Sequence, residues 1–142
     1  MVKAVNRPLS PHLSIWRWGP AMLISILHRI SGNGLAIVGG LLFTWWLVAL
    51  AGGQESYDIF YSWVWAAGAE ASGVQIVANW LGRIVLVGLT WAFFQHFLSG
   101  LRHFVLDIGA GYDVETNNRW SSIIVVLGIV LTAIFWAFAL LI

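Results

Sequence analysis

Three long apolar runs leave this chain few folds to choose from. The first extends from about Ala21 to Ala51, the second from about Val77 to Leu106 and the third from about Trp120 to Ile142. The first is uncharged from Ile30 onward, and the third carries no charge at all. Each exceeds the ~20 residues that a helix needs to cross about 30 Å of hydrocarbon. Lipid offers a backbone no hydrogen-bond partner, so all three must be helices. The expected fold class is all-α integral membrane, with three transmembrane helices. Residues 1–20 form an N-terminal segment outside the bilayer, and 21–142 a single membrane-anchor domain.

Composition agrees. The 142 residues are 60% hydrophobic and 9% charged, where a soluble domain carries about 25% charge. Ten tryptophans suit a chain with two water–lipid interfaces to occupy. The net charge of +1, without a basic run, gives nucleic acid nothing to bind. The absence of cysteine removes disulfides, thiolate metal sites, iron–sulfur ligation and covalent c-type haem attachment. Any haem must be held non-covalently, and His12, His28, His96 and His103 are the only imidazoles. The first 20 residues have no apolar core before Ala21 and contain all three prolines. They read as neither a signal peptide nor a transit peptide, and the expectation is a mature or bacterial chain.

Basic residues set the orientation. Lys3, Arg7, Arg17 and Arg29 precede or open the first helix, and Arg102 and Arg119 flank the second linker. The first linker, Gly52 to Gly73, holds Glu55, Asp58 and Glu70 and no basic residue. The N-terminus and second linker therefore belong on the cytoplasmic or matrix side. Ser25, His28 and Arg29 then share a depth with His96, Arg102 and His103, near the inner face.

Two constellations carry possible chemistry. In "HFLSGLRH", His96 and His103 lie seven residues apart, on one face and about 10 Å apart along the axis. Gly100 lies nearly on that face and clears it for a flat macrocycle or a neighbouring helix. An imidazole as deep as His96 is either an axial ligand for haem iron or hydrogen-bonded to a carbonyl or hydroxyl of another helix. In "SILHRISG", Ser25 and Arg29 are paired at i and i+4. They either contact a propionate or a quinone head or anchor the helix to lipid phosphate. Arg83 falls near the outer face, where snorkelling is expected. Asp107 is expected to pair with Arg102 or Arg119, or to be solvated. His12 is read as a surface or subunit-contact residue. Gly39, Gly40 and Gly88 are candidates for close helix approach. No H-E-x-x-H, phosphate-binding loop, dinucleotide fingerprint or nucleophile triad is present, so the chain has no catalytic residues of its own. Helix three has no polar stripe, which argues against a transporter or channel.

Three motifs in order, "RPLSPHLSIW" (7–16), "SILHRISG" (25–32) and "HFLSGLRHFVLD" (96–107), resemble the large cytochrome b membrane-anchor family of succinate dehydrogenase, respiratory complex II. They match the family patterns R-P-x-S-P-H, S-I-x-H-R-x-[ST]-G and H-x-x-x-G-x-R-H-x-x-x-D. The resemblance implies an anchor for a flavoprotein and an iron–sulfur subunit, packed with a second small anchor subunit. It implies one haem b shared between the two anchors and a part in ubiquinone reduction. By position it makes His96 the haem axial ligand and Ser25 and Arg29 quinone contacts. It places His28 and Arg29 by the haem propionates, and Arg102 and His103 around them. The membrane is then the bacterial cytoplasmic or the mitochondrial inner membrane. The alternatives are an anchor of a quinol–fumarate reductase, or a structural anchor without haem.

Overall fold

The computed structural model describes residues 17–141. Among these, four helices form an all-α bundle: α1 (Pro20–Ala51), α2 (Gln54–Val64), α3 (Gly73–Asp107) and α4 (Val114–Ala139). All but α2 are long and apolar enough to cross a membrane.

Local chemistry places the helix ends. Proline at the first position of α1 suits a site whose N–H has no partner within the helix. Ser72 accepts from the Gln75 backbone, and the Gln75 side chain accepts from the Ser72 N–H. This capping box starts α3 four residues before the expected Val77. Asp113 accepts from Thr116 N–H at 3.1 Å and starts α4 six residues before the expected Trp120. The α4 helix thus projects a polar turn, Val114 to Arg119, beyond its apolar span. The turn between them holds Gly109 and Gly111 at φ of +82° and +75°, which glycine adopts without strain.

The first linker contains a helix of its own, α2. Gly53, at φ +81°, turns the chain sharply out of α1 and into it. Eleven residues make a marginal helix alone, and α3 supplies the support. Asn79 donates to Ser62 O at 2.7 Å and accepts from Ala67 N–H at 2.6 Å. Gly82 lets the Val64 backbone close on α3. Arg83, instead of simply snorkelling, donates to Trp65 O at 3.1 Å, with its guanidinium over the Trp65 and Trp80 rings.

Packing is inverted relative to a soluble protein. Gln95, Ser99, Ser121 and Ser31 are buried, whereas Ile37, Leu41, Phe104 and Phe138 face outward. In lipid, small and polar side chains join helices, because large apolar ones gain little by leaving hydrocarbon. Between the spanning helices, close approaches fall at Gly32 and Gly128, where a Cβ would come within 2.8 Å of His96 and Gln95 respectively. Of the three glycines expected to mark such contacts, only Gly39 meets a neighbour, Leu89 at 3.5 Å. A Cβ at Gly40 or Gly88 meets nothing within 4 Å, because both lie off the seams.

The Ala21 N–H donates to Asn118 Oδ1 at 3.2 Å. That bond ties the start of α1 to the start of α4, beside the end of α3. One end of the bundle therefore gathers the first turns of α1, the last turns of α3 and the turn into α4.

Candidate functional site

Three of the four histidines meet at that end. The His28 ring of α1 stacks on the His96 ring of α3, with centroids 4.0 Å apart and planes 6° from parallel. His103 lies on the other flank of His28, its centroid 4.9 Å away. The seven-residue spacing of His96 and His103 lets one ring from α1 touch both.

Hydrogen bonds define the rings' protonation. His96 Nδ1 lies 3.0 Å from His28 O and 3.3 Å from Ser31 Oγ. A carbonyl only accepts, so Nδ1 carries the proton and donates. In the neutral ring Nε2 then holds a lone pair. Ser31, fully within the interior, donates its hydroxyl to the same His28 carbonyl at 3.0 Å. His103 Nδ1 donates to Ser99 O at 2.7 Å, which leaves its Nε2 in the same state. Glycine at 32 makes the arrangement possible, since any Cβ there would enter the His96 ring space.

A nitrogen lone pair points in the plane of its ring. The stacked His28 therefore covers the face of His96 but not the direction along which Nε2 would bind a metal. Gly100 leaves open space beside this face, with nothing within 4 Å of where its Cβ would be. His28 Nδ1 is buried without a partner among the described residues. Two of the rings stack and the third is tilted by 35° against His28, and among the described residues no set of His, Cys, Asp or Glu encloses a metal ion.

The other expected site residues divide. Ser25, about one turn before His28 on α1, is half-buried, and Arg29, the residue after His28, is exposed. Arg102 turns away from the histidines, about 100° around α3 from His103, and donates to Asn117 Oδ1 of α4. Asp107 is exposed, and Asn117, not Asp107, is the partner of Arg102. His12 and the first motif, 7–16, lie outside the described residues. Sequence reasoning did not single out Ser31 or Gly32 as partners of His96. The available signal was their place in the same motif, one turn beyond His28.

Three membrane-spanning helices with a pair of stacked, half-buried imidazoles at one end define a membrane-embedded helix-bundle protein. The chain belongs to the family of succinate dehydrogenase/fumarate reductase transmembrane subunits, whose family model matches residues 3–135. It is 39% identical over 137 residues to a succinate dehydrogenase cytochrome b556 subunit of Paracoccus denitrificans, covering 94% of this chain and 95% of that one. The corresponding subunit of Rickettsia felis is 33% identical over 131 residues, covering 92% and 91%. The mitochondrial cytochrome b560 subunit of Mus musculus is 36% identical over 110 residues, covering 77% of this chain and 57% of that one.

Proposed function

We propose that this chain is the large cytochrome b anchor of a succinate:quinone oxidoreductase. In this reading it holds a flavoprotein and an iron–sulfur subunit to the inner face, beside a second small anchor subunit. Its N-terminus lies on the cytoplasmic or matrix side. It gives one imidazole, His96, to a haem b shared with that second anchor, and it forms part of a ubiquinone-reduction site.

The observation that carries the reading is the fixed Nδ1–H of His96. Donation to the His28 carbonyl presents Nε2 as the ligand nitrogen and raises its basicity, as outer-shell partners of metal-bound histidines commonly do. The site fits the group in two further ways. The glycine at 100 clears the adjoining surface, and the unpartnered Nδ1 of His28 awaits an acceptor or donor such as a propionate. Arg29 and His103 lie near enough along their helices to join it there. Arg102 belongs to the same set by resemblance, although its side chain turns toward α4. A bound haem would supply one-electron redox capacity between donor and quinone.

Ser25 and Arg29 act on the quinone. Reduction places negative charge on the carbonyl oxygens before protons arrive. A hydroxyl donating to one oxygen and a guanidinium beside it stabilise that charge. Both residues lie near the inner surface, where protons reach the product directly.

Two substitutions test the reading in the purified complex. His96→Ala abolishes or strongly shifts the reduced-minus-oxidised b-type spectrum; an unchanged spectrum overturns the ligand assignment. Ser25→Ala lowers quinone reduction by on the order of 10² while succinate oxidation by an artificial dye persists. Equal loss of both activities points to failed assembly instead.

A further inference from the structure

The seam between α3 and α4 holds a cleft of about 220 Å³ that the histidine cluster does not use. Leu98 and Leu127 line its deep end, Leu101 and Ile123 its walls, and Arg102 and Asn117 its other end, beside Gly111 of the turn. From Asn117 to Leu127 is ten residues, or about 15 Å of helix, which is half of the roughly 30 Å hydrocarbon thickness. Leu101, Ile123 and Leu127 are all exposed, so the cleft opens outward to the bilayer. Trp120, at its rim, is also exposed, as an indole at a lipid headgroup interface is.

Arg102 is the one charged residue of this lining. Its terminal nitrogen donates to Asn117, but its Nε is buried with no partner among the described residues. A buried cationic N–H without an acceptor is costly, and a negatively charged oxygen is its best complement. The complementary ligand carries an apolar chain about one leaflet deep and an anion at its surface end. A quinone brings a neutral carbonyl and does not match the charge. The cleft is also smaller than the roughly 300–1,000 Å³ typical of pockets that enclose a compact molecule, and it suits a single acyl chain.

We propose that the α3–α4 cleft is a binding site for an anionic phospholipid, with its phosphate on Arg102 and one acyl chain lying between Leu101 and Leu127. The proposal shares only Arg102 with the haem reading, where that residue enters by resemblance; the geometry of that reading rests on α1 and on His96 and His103, whose side chains leave α3 about 100–120° around the helix from Arg102.

The test uses the full chain with its co-purifying subunits, placed in nanodiscs of equal phosphatidylglycerol and phosphatidylcholine and released for native mass spectrometry. The wild-type complex retains phosphatidylglycerol selectively. Arg102→Gln lowers that retention about fivefold, the worth of one basic contact at a membrane surface. Leu127→Trp, which fills the deep end and keeps the charge, lowers it too. Arg119→Gln, an exposed cation outside the cleft, leaves it unchanged. Equal retention of both lipids, or retention unaffected by Arg102→Gln and Leu127→Trp, overturns the proposal. Retention of quinone in place of lipid also overturns it. So does an altered haem spectrum in Arg102→Gln with lipid retention intact, which assigns Arg102 to the haem.

Discussion

His96 shows how much one glycine can decide. Its ring has a place only because Gly32, one helix away, has no side chain, and its tautomer is set only because the His28 carbonyl lies 3.0 Å from Nδ1. Gly32→Ala puts a methyl group 2.8 Å from Cε1 of His96. The ring cannot yield easily, because His28 stacks on its face and Ser31 borders its Nδ1. Overpacking of this kind costs about 1–3 kcal/mol. Its expected signature is a shifted b-type spectrum together with a lowered melting temperature of the complex. A variant with wild-type values for both means that His96 does not pack as described. Residue identities at this scale were largely legible: the histidines and Arg29 stood out because ionisable groups in apolar runs are rare, and Ser25 because it lies one helical turn before Arg29. The partners of His96 were not, because a serine and a glycine in an apolar helix have ordinary packing uses.

At the scale of elements, the three spans were readable from length and hydropathy, and their ends were not. Ser72 and Asp113 extend α3 and α4 through capping bonds beyond the expected starts at Val77 and Trp120, in α4 through the polar stretch Val114 to Arg119. The Asp113 carboxyl is held below its usual range, first by the Thr116 backbone bond. Its support of α4 is therefore present above the ordinary carboxylate value and fades as pH falls through the lowered one. The short α2 was missed for a different reason. Its stability is tertiary, supplied by Asn79, Gly82 and Arg83 from α3. Asn79→Ala leaves the Ser62 carbonyl without its side-chain donor and the Ala67 N–H without its acceptor, at a cost of about 1–3 kcal/mol. Hydrogen exchange should rise across 62–68 while α4 amides stay protected. Unchanged exchange there means that the bonds of Asn79 do not hold α2.

For the whole molecule, the placement of charges predicts a topology that can be measured. The chain has no cysteine, so a single introduced thiol reports its own side of the membrane. Ala110→Cys, in the exposed turn between α3 and α4, should react with an impermeant maleimide only when the cytoplasmic or matrix face is accessible. Glu70→Cys, exposed in the loop before α3, should react only from the opposite face. The reverse labelling pattern overturns the orientation and moves the proposed quinone and lipid sites to the other leaflet.

The membrane class, the number of spans, the end of the bundle that collects the polar residues and the family are all contained in the order of amino acids. Each rests on a one-dimensional property, either hydropathy over a helix length or the spacing of a motif. Which side chains meet at that end is a matter of helix rotation. Arg102 and His103 are neighbours in sequence, yet about 100° per residue sends one to Asn117 and the other to His28. Helices in lipid rotate to bring small and polar surfaces together. That choice depends on all three spanning helices at once, so the pairing of His28 with His96 and the cleft beneath Arg102 exist only in the folded bundle.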